Sequence, residues 1–367
     1  MKKIGIIIGK FFPLHIGHVN FIQRASGIVD KLYIVISYSD DADDLLTSNS
    51  RFVKEITPKD RLRFVKQTFK NQPNISSFLL DENHFSQQGE NWEEWADTLK
   101  NEIEKRENEI KIDWKNDVIF ISNRDEDKEY NLKHFGSKTR SIDKNYIEYN
   151  VNSKQIRENP SKYWDFLPRE VREHLIPIIT ICGGESSGKS VMIDKLANVF
   201  NTTSAWEYGR EYVFEKLGGD EEALQYSDYE KIVFGHQSNV LYAARNANKF
   251  ALIDTDYIAT LAFCLTYEKR DNPIVREFVQ NYKFDLTILL ENNVKWVNDG
   301  LRSIGDNERR EKFQNLLKQL YKEYNIPYIT VKSDSYEKRY LACKHIIKAY
   351  LDGADNSQLQ EIADSFI

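Results

Sequence analysis

The sequence predicts an α/β protein made of two doubly wound parallel-sheet domains in tandem. Three observations carry that expectation. The run Ile4-Gly5-Ile6-Ile7-Ile8 ends on Gly9, and a second run, Ile178 to Cys182, ends on Gly183-Gly184. Continuous apolar runs of this length read as strands buried on both faces, as in parallel sheets. Each leads through its glycine turn into helix-like sequence, and 367 residues accommodate two domains of roughly 100–200 residues each.

The remaining elements follow in order. In a first domain, 1–172, further strands are expected at Leu32 to Ser37 and Val118 to Ser122, with helices at Asp60 to Thr68 and Trp92 to Glu104. A second domain, 173–353, adds a helix from Val191 to Phe200. Its later strands are Phe250 to Asp254, Leu286 to Leu290 and Tyr328 to Val331, and its later helices Glu308 to Tyr324 and Tyr336 to Tyr350. Alternating strands and helices give a parallel sheet covered on both faces. The stretch from Asn159 to Pro177, with Pro160, Pro168 and Pro177, is expected to bridge the domains. The polar, acidic segment 354–367 is expected to be a loosely packed C-terminal tail.

Composition narrows the function. Lys plus Arg is 51 against 57 Asp plus Glu, a formal charge of −6. That sign argues against a general nucleic-acid coat, whose binding is driven by phosphate neutralisation, while a local basic pocket for anionic small molecules stays compatible with it. Cys182, Cys264 and Cys343 are scattered and odd in number, which suggests neither a disulfide framework nor zinc and fits a reducing cytoplasm. The apolar stretch after Lys3 is too short for a signal peptide, and no 18-residue apolar run is present, so a soluble cytoplasmic protein without a membrane segment is expected.

Gly183-Gly184-Glu185-Ser186-Ser187-Gly188-Lys189-Ser190 matches G-x-x-x-x-G-K-[ST] at every fixed position, between a strand and a helix. In that setting consecutive backbone N–H groups wrap a β-phosphate, Lys189 reaches the β/γ-oxygens, and the Ser190 hydroxyl enters the Mg²⁺ shell. The loop points to a nucleoside triphosphate; the co-substrate ATP is what the resemblance described below implies. Acidic groups near the acceptor are sought at strand ends, where Asp254, Asp256 and Glu207 stand. Either aspartate suits the Mg²⁺ shell or proton acceptance, and Trp206 and Tyr208 flank Glu207 as platforms for an aromatic ring. Helix capping, or pairing with Arg210, would equally account for these carboxylates. Arg302, Arg309 and Arg310 lie among Gly300 and Gly305, as in a lid that closes over phosphates; an exposed basic helix start is the plainer alternative.

In the first half, Gly9-Lys10-Phe11-Phe12-Pro13-Leu14-His15-Ile16-Gly17-His18 follows the first strand directly. Two imidazoles three residues apart face the same side of a helix start. With Lys10 nearby they form a polyphosphate cradle, and Gly17 leaves room for a nucleotide.

This string resembles the HxGH signature of the Rossmann-like nucleotidyltransferase superfamily. The superfamily's second signature, I-S-x-x-x-I-R, is similar to Val151-Asn152-Ser153-Lys154-Gln155-Ile156-Arg157, with Asn152 where serine is expected. That departure implies retained, though altered, adenylyl transfer. Both halves in this order resemble the bacterial NadR family, an HxGH adenylyltransferase joined to a P-loop kinase. The likeness runs over nearly the whole chain. It is densest in Gly183 to Ser190, Thr202 to Arg210, Leu217 to Asp220, Ile253 to Asp256 and Asp299 to Ser303.

The resemblance implies a nicotinamide-mononucleotide adenylyltransferase followed by a ribosylnicotinamide kinase, with Mg²⁺ as cofactor. ATP, nicotinamide riboside, nicotinamide mononucleotide and NAD are the small-molecule partners. His18 is then expected at the transition state, with His15, Lys10, Arg157, Gly9 and Phe11 around the triphosphate. Trp92, Trp95 and Asp40 become candidates for nicotinamide mononucleotide, and Trp206, Glu207, Tyr208, Arg210 and Asp256 for nicotinamide riboside. Some members of the family carry an N-terminal helix-turn-helix; here the first strand begins at Ile4, so DNA binding is not expected. A kinase with a weakly active, NAD- or ATP-sensing first domain is the alternative reading, and action on another nucleoside is a third. The sequence leaves open whether the chain forms a homo-oligomer.

Overall fold

The computed structural model describes residues 3–87, 92–108, 110–124, 126–142, 148–184, 186–294 and 307–367. The chain divides into two compact units, Met1–Leu175 and Ile176–Ile367. The division falls after Leu175, because the last helix of the first unit continues to that residue.

The strands of the first unit are β1 (Ile4–Gly9), β2 (Lys31–Tyr38), β3 (Ile75–Asp81), β4 (Val118–Ser122) and β5 (Lys138–Ser141). Its helices are α1 (Ile16–Ser26), α2 (Asp40–Ser48), α3 (Pro58–Thr68), α4 (Asn83–Gln87), α5 (Trp92–Arg106), α6 (Asp127–Phe135), α7 (Ser153–Glu158) and α8 (Arg169–Leu175). The sheet order is β3-β2-β1-β4-β5, all parallel, so the direction of winding reverses beside β1. Ligands of such sheets bind at the carboxyl ends of the strands flanking that reversal. Gly5 is required for packing: a Cβ there would stand 3.0 Å from Leu32 and Val29. At α3, Thr57 and Asp60 form a reciprocal cap with Pro58 in the first turn.

The strands of the second unit are β6 (Ile178–Gly183), β7 (Ser204–Ala205), β8 (Ala251–Asp254), β9 (Leu286–Leu290) and β10 (Ile329–Val331). Its helices are α9 (Lys189–Phe200), α10 (Tyr208–Leu217), α11 (Asp228–Asn246), α12 (Tyr257–Glu268), α13 (Pro273–Asn281), α14 (Asn307–Glu323), α15 (Tyr336–Leu351) and α16 (Asn356–Asp364). The order β10-β9-β6-β8-β7, again parallel, puts β6 in the centre. Ile179 and Ile181 of β6 face one core with α9, α15 and α16. Cys182 faces another, with α11, α12, α13 and α14. The sheet is therefore covered on both faces. Among the described residues no helix is long and apolar enough to cross a membrane.

Two sequence expectations need correction. The proline-containing stretch, expected to bridge the domains, packs within the first unit as far as Leu175. Trp164, Leu167, Val171 and Leu175 are buried, and His174 of α8 packs its ring edge on Phe64 of α3, 5.3 Å between centroids. Its prolines sit at turns between short apolar pieces. The segment 354–367 is not a loose tail. α16 is capped by Asp355 with Gln358 and buries Leu359 and Ala363 in the core. Gln360 exchanges two hydrogen bonds with Thr330 of β10, at 2.9 and 3.1 Å, and so serves that edge strand. Polar composition concealed an apolar pair four residues apart.

Candidate functional sites

In the first unit, the chain leaves β1 at Gly9, whose missing Cβ makes room for the Phe11 ring. Phe11 holds φ +49° and is buried, with its ring edge 5.1 Å from His18. His15 caps α1, accepting from the His18 N–H at 3.4 Å. The two imidazoles stack at 3.7 Å. The space over Gly17 is filled by the His15 ring, 3.1 Å from where a Cβ would be, so this glycine serves the histidine rather than giving direct room to a nucleotide.

Burial pushes the His15 pKa down to about 4. Burial, and then His15, hold His18 well below the ordinary histidine range. Both rings are therefore neutral at pH 7. His15 Nδ1 accepts, which leaves its proton on Nε2. His18 Nδ1 is buried without a hydrogen-bond partner among the described residues. Such an atom beside a helix N-terminus suits a phosphate oxygen.

Cationic charge comes from Arg157 of α7. It donates to the Phe12 carbonyl at 2.6 Å, while its Nε finds no partner among the described residues. Asn152 caps α7: its Oδ1 accepts from the Gln155 N–H at 2.9 Å, and the Gln155 Oε1 accepts from the Asn152 N–H at 3.0 Å. Asparagine caps a helix as well as serine does, so the departure from the signature preserves the turn that presents Arg157.

The other expected residues have neighbours of their own. Lys10 faces Glu82 at 3.6 Å. Asp40 and Asn83 hold each other at the N-termini of α2 and α4. Trp92 is half-exposed beside Tyr130. Trp95 instead belongs to the core and donates to Glu82 at 3.2 Å, so it offers no free face for stacking. Arg61 was not foreseen. Fully buried, it donates to the Lys10 carbonyl at 3.0 Å, pairs with Asp43 and lies over Phe12, fixing the path of the histidine loop. An arginine in a capped helix gives no sequence signal of that role.

In the second unit, the glycine loop joins β6 to α9. Gly183, Ser186 and Gly188 have φ of +151°, +57° and +87°. A Cβ at Gly183 would meet the Leu290 carbonyl at 2.7 Å, and one at Gly184 the Asn292 amide at 2.5 Å. Lys189 is buried and donates to the Gly184 carbonyl at 3.3 Å. Ser187 is buried beside it. Arg339 of α15, fully buried, donates to the carbonyls of Ser187 (2.9 Å), Glu291 (2.6 Å) and Ser333 (2.6 Å), and Gln314 accepts from Gly184 N–H at 3.1 Å. Neither clamp was legible in the sequence, because both bring distant helices to the loop.

Asp254 ends β8, buried, and lines a small cavity together with Ser190. Burial, and then Glu207, raise its pKa. These two hard oxygen donors beside the phosphate loop fit Mg²⁺, which keeps several waters and takes few protein ligands. Asp256 is a different case. It caps α12 through Ala259 N–H at 3.0 Å and accepts from the Tyr321 hydroxyl at 2.8 Å, so its oxygens are spent on the fold. Glu207, Tyr208 and Arg210 line one cavity with Lys189, His236 and Tyr229. Trp206 is exposed and lies instead beside Ser190 and Asp254. Gly235 of α11 accommodates the Tyr208 ring, which would come within 2.1 Å of a Cβ.

The arginine pair of α14 diverges. Arg309 is exposed, whereas Arg310 is buried with its guanidinium 3.4 and 3.5 Å from the Val294 carbonyl. Adjacent helix positions do not face the same way, so the two do not act as one clamp. Glu185, Gly300, Arg302 and Gly305 lie outside the described residues.

The family described as an AAA domain matches residues 178–339. The trifunctional NAD biosynthesis/regulator protein NadR of Salmonella typhimurium is 46% identical over 347 residues, covering 95% of this chain and 83% of its own. This chain belongs to the NadR family. The Escherichia coli NadR is 44% identical over the same shares. In fold, the chain is similar to a crystal structure of a NadR protein in complex with NAD and AMP-PNP, with a TM-score of 0.78 at 24% identity over 97% of this chain and 98% of that one. As a NadR-family chain it carries a nucleotidyltransferase-like domain followed by a P-loop kinase-like domain.

Proposed function

We propose that the chain makes NAD from nicotinamide riboside in two ATP-dependent steps. The observation that carries this reading is a pair of arrangements suited to polyphosphate in one chain: stacked neutral histidines with Arg157 in one unit, and a glycine loop with a buried lysine in the other.

In the kinase domain, the γ-phosphoryl passes from ATP to the 5′-hydroxyl of nicotinamide riboside. Lys189 and the loop N–H groups hold the phosphates. Ser190 and Asp254 would hold Mg²⁺, which when bound offsets the charge on the transferring group. Glu207, at the cavity wall, is the proton acceptor, and Asp256 is a structural cap rather than a base. Tyr208, Tyr229, Phe263 and Tyr267, with Glu207 and Glu221, line the cavity. That combination of π-faces and carboxylates suits a cationic pyridinium, each cation–π contact being worth roughly 0.5–2 kcal/mol.

In the first domain, the mononucleotide phosphate attacks the α-phosphorus of ATP and expels pyrophosphate. No covalent intermediate is required, so orientation and charge stabilisation supply the rate. His18 contacts the transition state, and Arg157 holds the triphosphate. The cap at Asn152 supports an active domain over a sensing one.

The test is direct. Pyrophosphate release from ATP plus nicotinamide mononucleotide is expected, and its absence at saturating enzyme would favour the sensing alternative. Nicotinamide riboside is expected to outcompete uridine and thymidine as phosphoryl acceptor; preference for either pyrimidine would remove the kinase assignment.

A further inference from the structure

We infer that His236 is a positioning residue of the phosphoryl-transfer site, holding the strained turn that aims Asp254 at the phosphate loop; this rests on the kinase reading above. Asp254 closes β8 and Asp256 caps α12, so Thr255 alone must send the two carboxylates in different directions. Asp254 faces the small cavity that Ser190 also lines, and Asp256 turns to Tyr321. To do so, Thr255 adopts φ +74°, a left-handed conformation that β-branched residues avoid and that persists only where its surroundings enforce it.

Three hydrogen bonds enforce it. The Thr255 N–H donates to the Ile181 carbonyl of β6 at 3.2 Å. Its hydroxyl donates to Asp254 Oδ1 at 3.3 Å. Its carbonyl accepts from His236 Nε2 at 3.1 Å. The third bond comes from a side chain of a separate element, α11. His236 is 3% exposed, with the edge of its ring against Tyr257. Burial pushes its pKa down to about 4, so the ring is neutral at pH 7, and the carbonyl fixes its single proton on Nε2. Thr255 and His236 line the same cavity as Lys189 and Glu207, so a change in the turn is felt at the site. Removing the donor strands a buried carbonyl and frees Thr255 to leave the left-handed region, carrying the Asp254 carboxylate away from Ser190.

The experiment uses the full chain. H236L keeps the bulk and H236N keeps an amide that ends short of Thr255; each is expected to lower kinase kcat by about tenfold or more, as small misplacements do. The KM for ATP and the rate of adenylyl transfer should stay within about twofold. H236Q, whose terminal amide reaches as far as Nε2, is expected to restore turnover. In a T255G background the strain is absent, so adding H236L should cost no more than about threefold, a non-additivity that marks the coupling. A crystal structure of H236L is expected to show residue 255 at negative φ with Asp254 off Ser190. Equal turnover in H236L and H236Q, an undiminished H236L effect in T255G, or a left-handed Thr255 in the H236L structure would each overturn the inference. Absence of kinase activity in the parent chain would instead remove the kinase reading, and the H236L structure would still decide the role of the histidine.

Discussion

The histidine loop and the glycine loop stand at the same place in their sheets, after the first strand and before a helix, and they prepare for phosphate in different ways. In the first domain the side chains do the shaping. His15 caps the helix, stacks on His18 and fills the space over Gly17, while Arg61 and Arg157 hold loop carbonyls from outside. In the second the backbone does it, with positive φ at Gly183, Ser186 and Gly188 and a carbonyl 2.7 Å from where a Cβ would stand. The first cradle is neutral at rest and draws charge from one arginine. The second carries a buried lysine. A side-chain cradle should therefore be sensitive to imidazole chemistry, and a backbone cradle to the absence of Cβ atoms.

That contrast can be broken in several ways. K189A is expected to lower kinase turnover by about a thousandfold, with adenylyl transfer within about twofold of the parent. H18A should do the reverse, lowering adenylyl transfer by about a hundredfold and sparing the kinase. Loss of both activities in either variant would mean that the sites are not independent.

A pair of glycine substitutions sharpens the comparison. G183A places a Cβ against backbone at φ +151°, whereas G17A presses only on a ring 3.1 Å away. G183A should cost its domain at least about tenfold more activity than G17A costs the other. Similar losses would show that both loops depend on backbone shape.

Acid should weaken the histidine cradle by a calculable route. His15 has a pKa of about 4 folded, against 6.5 unfolded. As pH falls below 6.5 the unfolded chain takes up the proton first, so stability declines until pH 4. The loss is of order 3 kcal/mol. The thermal midpoint of the first domain is expected to fall over that window, and to fall less in H15N, followed by differential scanning calorimetry. A pH-independent midpoint would mean that the imidazole titrates alike in the folded and unfolded chain.

The smallest effect concerns the cap of α7. N152A should cost about 1 kcal/mol and N152S a few tenths at most, read as denaturation midpoints, with adenylyl transfer following the same order. Greater loss in N152S than in N152A would mean that the amide acts on phosphate and not on the helix.

Much of the fold was readable because it rests on short-range patterns. The runs 4–8 and 178–182 are strands for the reason that marked them, burial on both faces. Helices α3, α5, α14 and α15 lie within two residues of their expected limits. β3 and β5 were missed because their partly exposed residues lack such a run, and α16 because it reads as polar. Within the sites, the glycine loop and the two histidines could be named from spacing. Trp95 and Arg310 could not be sorted from Trp92 and Arg309, since each pair has one buried and one exposed member, nor Asp256 from Asp254, since only the first is held by a helix cap and a distant tyrosine.

Spacing along the chain was enough to pick out two loops as candidates for phosphate, because backbone N–H groups and helix termini follow from local order. What each nearby charge touches emerged only from the packed fold. Whether a carboxylate caps a helix, faces a metal or accepts a proton depends on residues sixty or more positions away, as Tyr321 does for Asp256 at 2.8 Å. Burial and distant hydrogen-bond partners, which local spacing cannot encode, assign those roles.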